Sequence, residues 1–318
     1  MKAIRFHQYG GPEVLALQEL EKPVPRENEI LVRVNAAAIN PLDWHMMRGT
    51  PYFMRLMTGL TKPKSKYQGF GADMAGVVEE TGAKVNTWQI GDEVLGDLFN
   101  FGYGAIAEYV VLPEEAVVAK PNSVTYEEAA GMPVAALTAW HGLNKFGPIK
   151  TGSKVLINGA SGGVGTFAVQ LAKYYGAHVT AICSVRNVSL VNQIGADVVI
   201  DYTTSNVLDR DLTFDLIFDA VGNFVLSDYK KLLKSDGRCA VVGFGGMSNL
   251  IKAGIFGGKQ IQMVDFKATQ KDLERLTALV TANHIKTVID RTYSMEEIQE
   301  AVTYLETSRA KGKVIITI

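Results

Sequence analysis

A glycine turn in the middle of the chain constrains its fold most. Residues 154–165 read KVLINGASGGVG, and apolar residues recur at helical spacing from there to Tyr175. An aliphatic run without polar alternation is typical of a buried parallel strand. A strand, a glycine turn and a helix start together form the first unit of a dinucleotide-binding fold, because the free amides of the helix start can bind a diphosphate.

The residues of this turn have separate predicted roles. Ala160, Gly162 and Gly165 occupy the three glycine positions of the G-x-G-x-x-G pattern. Gly162 would let the backbone approach the pyrophosphate, and Gly165 would let the helix pack closely on the sheet. A glycine-rich segment can also be a plain turn, but the flanking strand and helix favour the dinucleotide interpretation. The predicted cofactor-binding residues of the turn are Gly159, Ala160, Ser161, Gly162, Gly163, Val164 and Gly165.

Polar residues after the second predicted strand indicate which dinucleotide binds. An NAD-selective site places a carboxylate about 20 residues after the glycines, where it holds the ribose 2′-hydroxyl. This chain has Ser184 and Arg186 there instead. A hydroxyl and a guanidinium suit a 2′-phosphate, so the sequence favours NADP(H) over NAD(H). The alternative for Arg186 is a solvent-exposed cation at a helix start.

Length and composition fit an enzyme of two domains. The 318 residues are about twice a typical domain length. A net charge of -1 gives no indication of a nucleic-acid or anionic-membrane partner. Cys183 and Cys239 are too few for a disulfide framework or a Cys-based zinc site. We find no run typical of a signal peptide or a membrane span, and we expect a cytoplasmic protein, with an organelle of a larger cell as the alternative.

The pattern of the sequence changes near Pro121. Before it, short β-branched or alternating segments are divided by glycines, which is typical of a β-rich barrel or sandwich. After it, strands and helices alternate, which predicts an α/β fold with a doubly wound parallel sheet of the Rossmann type. The final β run, Lys313 to Ile318, could pair back into the first domain. We therefore expect a β-rich domain from 1–121 plus about 288–318, and a dinucleotide-binding domain from 122–287.

Several further segments match a known family. They are AAAINPLDWHMMRG at 36–49, GADMAGVVEETG at 71–82, GDEV at 91–94, AEYVVLP at 107–113, and GKVII near the end. With the GASGGVG turn they resemble the medium-chain dehydrogenase/reductase superfamily, and within it the zinc-independent quinone oxidoreductase branch. The resemblance implies a GroES-like barrel for the β-rich domain, an NADP(H)-dependent enzyme, and a homodimer formed by pairing of the strand at 260–264.

Members of this superfamily differ in whether they bind zinc. In the zinc-dependent alcohol dehydrogenases a Cys, a His-Glu pair and a second Cys bind the metal; here the first Cys position is Asn40 and the His-Glu pair reads Ala72-Asp73. Sulfur and imidazole ligands are thus missing, so we predict no metal.

Without a Lewis acid, hydride addition to a conjugated acceptor is the favoured reaction. A delocalised oxyanion can be stabilised by a few hydrogen-bond donors. We predict NADPH-dependent reduction of a small apolar quinone or α,β-unsaturated carbonyl compound. There are two alternatives to this function: an enoyl-thioester reductase, and an NADPH-binding protein with little turnover.

The resemblance also implies site residues. His45 takes the position of a Tyr in bacterial quinone reductases, and Tyr52 lies near the proton-donating Tyr of enoyl-thioester reductases. His45 could donate to a developing oxyanion or only pack beside Trp44, and Asp43 could only cap a helix. The catalytic candidates are Asn40, Asp43, His45 and Tyr52. The further cofactor candidates are Thr138, Tyr202, Val221, Gly243 and Phe244, of which the last three follow strands of the parallel sheet.

The segment 51–66 is unusual for compact quinone reductases. Its Met and Leu residues, Met54, Leu56, Met57 and Leu60, could line an apolar substrate mouth while its cations face solvent. Core packing is the alternative.

Overall fold

The computed structural model describes residues 1–242, 258–264 and 269–318. The chain forms two compact units. The first consists of Met1–Val134, Ala268–Ala282 and Thr287–Ile318, and the second of Ala135–Lys267 and Asn283–Lys286.

Strands and helices are numbered in chain order within the described residues. The strands are β1 (Lys2–Arg5), β2 (Ala16–Glu19), β3 (Glu29–Ile39), β4 (Asp73–Thr81), β5 (Glu93–Asp97), β6 (Tyr109–Pro113), β7 (Val117–Ala119), β8 (Lys154–Asn158), β9 (His178–Cys183), β10 (Val198–Asp201), β11 (Phe214–Asp219), β12 (Leu233–Val241), β13 (Ile261–Met263), β14 (Ile289–Ser294) and β15 (Lys313–Thr317). The helices are α1 (Pro41–Arg48), α2 (Met54–Thr58), α3 (Tyr126–Ala130), α4 (Pro133–Asn144), α5 (Gly163–Tyr174), α6 (Val188–Gln193), α7 (Leu226–Leu232), α8 (Gln270–Thr281) and α9 (Ile298–Glu306).

A seven-stranded sheet forms the first unit. Its order is β14-β15-β3-β4-β5-β7, and β6 also pairs with β3. Strand β15 returns from the end of the chain and pairs antiparallel with β3, with Ile316 opposite Ala37. The core of this unit contains Ile30, Val32, Met74, Val94 and Ile316 among others, so the two ends of the chain contribute to one hydrophobic core.

Helix α8 belongs to this first unit, whereas the sequence analysis placed residues 122–287 in the dinucleotide-binding domain. The helix contacts β7, and the side-chain amide of Gln270 donates a hydrogen bond of 3.0 Å to the Val117 carbonyl. Its apolar residues Leu273, Leu276 and Val280 are buried. The helical periodicity alone does not say which unit covers them.

A six-stranded parallel sheet forms the second unit. Its order is β10-β9-β8-β11-β12-β13. Numbered from β8, this is 3-2-1-4-5-6, the order of doubly wound dinucleotide-binding sheets. The strand order reverses between β8 and β11, where Asn158 pairs with Asp219 at the carboxyl ends. The predicted α/β fold class is confirmed, and ligands of such sheets bind beyond this switch point.

Candidate functional site

The glycine turn joins β8 to α5 at the switch point. Gly159 adopts a φ of 81°, a left-handed conformation that favours glycine. Ala160 is buried and outside the left-handed region, which explains why a residue with a Cβ stands at the first glycine position of the pattern. Gly162 is the residue before α5. The backbone amides of the first turn of α5, which begins at Gly163, have no hydrogen-bond acceptor within the helix.

The two later glycines of the turn have different surroundings. A Cβ on Gly165 would lie 2.0 Å from the Gly159 carbonyl oxygen, so the helix and the turn approach too closely for any side chain. Within the part of the chain that the structure describes, a Cβ on Gly162 would meet only that oxygen, at 3.6 Å. Open space in front of helix amides fits a diphosphate.

A buried carboxylate, which the sequence analysis missed, shapes the neighbouring strand end. Asp219 accepts hydrogen bonds from the Asn158 side chain at 2.8 Å, from Tyr229 at 2.6 Å, and from the amides of Val221 and Gly222 at 2.9 and 2.8 Å. These bonds hold the turn that contains the predicted cofactor residue Val221. An isolated Asp at the end of a strand gives no sequence signal for such a network.

The residues predicted to hold the 2′-phosphate follow two adjacent strands. Cys183 at the end of β9 pairs with Asp201 at the end of β10, so Ser184 and Tyr202 continue side by side. Ser184 is buried, whereas the side chains of Arg186 and Tyr202 are exposed. The structure thus brings these three residues to one end of the sheet.

Asn187 connects this segment to the glycine turn. Its side-chain amide donates a hydrogen bond of 2.8 Å to Ser161 Oγ, and both side chains are buried. Asn187 is not among the residues predicted from the sequence, because no local pattern links it to Ser161. Of the remaining cofactor candidates, Thr138 lies buried in α4. Gly243 and Phe244 lie outside the described residues.

A second group of functional candidates lies in the first unit, where adjacent strands bring distant residues together. Val314 pairs with Ile39, Ala38 with Asp73, and Asp73 with Asp97. This register aligns the ends of β15, β3, β4 and β5. The residues gathered there and in the adjoining turns form a polar cluster, which consists of Asn40, Asp43, Asp73, Asp97, Tyr103 and Lys313.

An ammonium group lies at the centre of the polar cluster. Lys313 Nζ donates to Asp73 Oδ2 at 3.0 Å and also to Asn40 Oδ1. The Asn40 side-chain amide donates to Asp73 Oδ2 at 2.9 Å, and the Val134 amide donates to Asp73 Oδ1 at 2.8 Å. Lys313 is 3% exposed and Asp73 is 0% exposed. Asp73 therefore balances the charge of the buried ammonium.

Two further carboxyl groups of the cluster form no ion pair with any residue that the structure describes. The Asn40 amide donates to Asp43 Oδ2 at 2.6 Å, and the Phe99 amide donates to Asp97 Oδ1 at 2.8 Å. Burial raises the pKa of Asp43 to about 7 and that of Asp97 to about 8. Burial, followed by the charges of these acids, also raises the pKa of Tyr103 well above its ordinary value. The cluster can therefore hold protons at neutral pH.

We expect the free energy of unfolding to fall as the pH rises from about 4 to about 8. In the unfolded chain the carboxyl groups of Asp43 and Asp97 have the ordinary pKa of 3.8, whereas in the folded state their pKa values are about 7 and about 8. Between these values the folded state binds more protons, so the stabilisation is complete below a pH of about 4 and is lost as the pH rises through the folded pKa values. Urea titrations at several pH values measure this change.

The variant Asp97→Asn should weaken this pH dependence, and Asp236→Asn, which removes an exposed carboxyl, should leave it as it is. His45, whose pKa is lowered by burial, acts in the opposite direction, so the comparison of variants isolates the share of Asp97. The same pH dependence in wild type and Asp97→Asn would contradict the prediction.

His45 and Tyr52 have different environments. His45 is half-buried on α1, its ring stacks on Trp44 with centroids 3.6 Å apart, and Nδ1 lies 2.9 Å from the Thr50 carbonyl oxygen. A carbonyl accepts only, so the neutral ring carries its proton on Nδ1. Tyr52 is 74% exposed, and the Arg55 guanidinium lies 4.9 Å from its ring centroid. The structure does not bring Tyr52 into the polar cluster.

Comparisons with known proteins agree with this arrangement. Residues 26–122 match the family described as alcohol dehydrogenase GroES-like domain, and residues 194–316 match the family described as zinc-binding dehydrogenase. The chain is 35% identical over 355 residues to the mitochondrial NAD(P)H oxidoreductase RTN4IP1 of Mus musculus, covering 100% of this chain and 89% of the relative. It is 34% identical to the chloroplastic quinone-oxidoreductase homolog of Spinacia oleracea, covering 99% and 98%.

A solved structure extends the comparison. The quinone oxidoreductase from Coxiella burnetii matches with a TM-score of 0.88 and 30% identity, covering 100% of this chain and 99% of that one. The doubly wound sheet, the glycine turn and the GroES-like domain together define an oxidoreductase with a nicotinamide cofactor. The chain belongs to the medium-chain dehydrogenase/reductase superfamily, in its quinone oxidoreductase branch.

The zinc site that one matched family description implies does not fit this chain. Asn40 and Ala72 offer neither sulfur nor imidazole, and the Lys313 ammonium already lies between Asn40 and Asp73. Within the described ranges, no group of three or more His, Cys, Asp or Glu side chains is arranged to hold a metal ion.

The expected cytoplasmic location is contradicted by the relatives, since those from mouse and spinach are mitochondrial and chloroplastic proteins. The expectation rested on the lack of a run typical of a signal peptide or a membrane span, and neither criterion distinguishes the cytoplasm from these organelles. Among the described helices, none is long and apolar enough to cross a membrane.

Proposed function

We propose that the protein transfers hydride from NADPH to a quinone or to the β-carbon of an α,β-unsaturated carbonyl compound, without a metal ion. The observation that carries this proposal is the Lys313 ammonium, which is bound by Asn40 and Asp73 at positions where zinc-dependent relatives have metal ligands. Without a Lewis acid, the favoured acceptor is one whose oxyanion is delocalised. The mouse and spinach relatives, which are named for NAD(P)H and quinone oxidoreduction, support the reaction class.

The chain's own residues hold the cofactor in this proposal. NADPH, when bound, supplies the hydride. We propose that the amides of the first turn of α5 and the open space at Gly162 hold its diphosphate. Val221 and Thr138 would contact other parts of the NADPH molecule. Ser184, Arg186 and Tyr202 would hold the 2′-phosphate.

Arg186→Ala is expected to weaken NADPH binding by about 10- to 100-fold, the value of a hydrogen bond to a charged group, and to leave NADH binding nearly unchanged. Fluorescence titration with both dinucleotides gives the two dissociation constants. Arg210→Ala is the matched control, because Arg210 is also exposed and bonds only weakly to Ser205 at 3.4 Å. Equal losses for NADPH and NADH would contradict a 2′-phosphate contact.

We propose that His45 delivers the proton to the reduced product. Burial lowers its pKa, so at neutral pH the ring is mostly neutral, with its single proton directed to the Thr50 carbonyl. His45 acts as an acid only in its charged form, and turnover that depends on it should rise as the pH falls. Asn40 and Asp43 would position the N-terminal end of α1, which carries His45. Tyr52 stays a weaker candidate because it is exposed.

His45→Phe is expected to lower kcat by about 100-fold, a typical contribution of a general acid, while the NADPH dissociation constant stays within about twofold. The variant should also lose the rise in kcat at acidic pH. His7→Phe is a suitable control because His7 is an exposed histidine of the same unit. Retained turnover in His45→Phe, with the wild-type pH profile, would show that this residue only packs against Trp44.

The proposed reaction is tested by a screen of NADPH oxidation across quinones, enones, acyl thioesters and simple ketones. We expect turnover with quinones or enones and little with simple ketones. Rates that depend on the chain length of acyl thioesters would instead identify an enoyl-thioester reductase. Tight NADPH binding without turnover on any acceptor would identify a binding protein.

We also propose a homodimer formed by pairing of β13 with its copy across a two-fold axis. Strand β13 is at the edge of the parallel sheet, and an edge strand presents unpaired backbone groups. Sedimentation equilibrium should give twice the chain mass of 34.6 kDa. A monomeric mass would reject the dimer.

A further inference from the structure

Helix α2 and the residues beside it turn their apolar side chains away from the protein. Phe53, Leu56 and Met57 share one face by their spacing, and Leu56 and Met57 are 72% and 64% exposed. Leu60, just beyond the helix, is 68% exposed. Thr58, which is buried, lies on the opposite side. Surface helices of globular proteins usually bury the apolar face, so the orientation of this helix is reversed.

Polar contacts below the helix hold it in this orientation. The Tyr9 hydroxyl bonds Thr58 Oγ1 at 2.7 Å and the Gly59 carbonyl at 2.6 Å. The Arg55 guanidinium lies 4.4 Å from the centroid of the Tyr9 ring, and its Nε donates to the Gly49 carbonyl at 3.0 Å. The outward direction of the apolar side chains is therefore set by specific bonds on the inner side.

The same part of the chain is strongly cationic. Residues 44–72 contain five Lys and Arg residues and no Asp or Glu, in a protein whose net charge is -1. Of these cations Arg48 is paired with Glu306. Lys62 and Lys66 are exposed and follow the apolar residues closely in the chain. The net charge of the whole chain is therefore close to zero, although this segment, which exposes apolar side chains, has an excess of positive charge.

We propose that this surface, the outward patch of Phe53, Leu56, Met57, Leu60, Lys62 and Lys66, binds the surface of an anionic lipid bilayer. Apolar side chains of this kind enter the boundary between headgroups and acyl chains, while lysines at the rim pair with lipid phosphates. The proposal concerns the first unit alone and does not depend on which hydride acceptor the enzyme uses.

A second copy of the chain is a poorer partner for this surface than a bilayer, because both copies carry the same charge there. A two-fold contact places the same patch on both sides, so the cations of one copy would face those of the other. Like charges brought together across an interface oppose association. An anionic bilayer instead offers both the apolar phase and the opposite charge.

Vesicle flotation with the full chain tests the proposal. We expect the wild type to float with vesicles of equal parts phosphatidylglycerol and phosphatidylcholine, to float far less with phosphatidylcholine alone, and to be released by salt. The double variants Leu56→Ser/Met57→Ser and Lys62→Glu/Lys66→Glu should each lower the partition coefficient by about tenfold or more.

Two control pairs match these variants. Val24→Ser/Ile90→Ser removes equally exposed apolar side chains, and Lys230→Glu/Lys271→Glu reverses exposed cations elsewhere. Both controls should float like the wild type, and thermal unfolding with NADPH titration checks that every variant is folded. A wild type that stays with the soluble fraction overturns the proposal, as do patch variants that float like the wild type. Self-association that is lost in the patch variants, without vesicle binding, would assign the surface to a second copy instead.

Discussion

Replacing Lys313 with methionine is expected to lower the free energy of unfolding by about 3–5 kcal/mol, the cost of breaking a buried ion pair by removing one partner. Methionine fills a similar volume but leaves the Asp73 carboxylate buried without its cation. Among the described residues, the Asn40 side chain and the Val134 amide would still donate to Asp73. Urea titration at neutral pH measures the difference.

A second substitution separates the charge from the packing at this site. In Lys313→Met/Asp73→Asn neither position of the ion pair keeps an unpaired buried charge, so much of the lost stability should return. The control Lys234→Met breaks a half-exposed pair with Asp215, and a change of no more than about 1 kcal/mol is expected there. If Lys313→Met were as stable as the wild type, the buried ion pair would have no role in the fold.

Gly162→Asp is expected to reduce NADPH affinity at least about 100-fold without loss of stability. The backbone of Gly162, with φ −80° and ψ 173°, accepts any residue, and open space surrounds its Cβ position. Aspartate is among the best residues before a helix, and its charge is favourable there. The same carboxylate would occupy and repel the diphosphate site. Isothermal titration and chemical denaturation measure the two effects.

Gly165→Ala provides the contrasting case. Its Cβ would lie 2.0 Å from the Gly159 oxygen and 2.8 Å from Ala160 Cα, so backbone must move. We expect a loss of about 1–3 kcal/mol of stability together with weaker binding. If Gly162→Asp bound NADPH like the wild type, the diphosphate could not lie at this turn.

Local patterns in the sequence were sufficient to predict the doubly wound parallel sheet of the second unit, but not the limits of that unit in the chain. The glycine turn, the buried strand before it and the helix after it are contiguous, and the strand order follows the rules of doubly wound sheets. Asp219 and Asn187 escaped prediction because their side-chain partners are distant in sequence: Asn158 and Tyr229 for Asp219, and Ser161 for Asn187. Single polar residues of this kind become meaningful only once the turn is built.

The polar cluster of the first unit could be predicted only in part. Asn40 and Asp43 are in a recognisable segment, but Asp97 and Lys313 join them through strand register, and no local pattern links these positions. The pKa values of Asp43 and Asp97 depend on burial that the sequence does not specify. The exposed side chains of Leu56, Met57 and Leu60 contradict the alternative of core packing, whereas their place in a substrate mouth stays a prediction.

The return of β15 to β3 has a consequence for the order of folding. Lys313 and Asp73 are 240 positions apart in the chain, and β15 separates β3 from β14 in the sheet. Contacts so distant in sequence form slowly, because the chain between them must first be ordered. The second unit is nearly continuous within that interval, so it can assemble first and shorten the effective loop. During synthesis the Asp73 carboxylate therefore has no counter-ion until β15 has left the ribosome. The first unit is the first to be synthesised in part, but its fold is completed last.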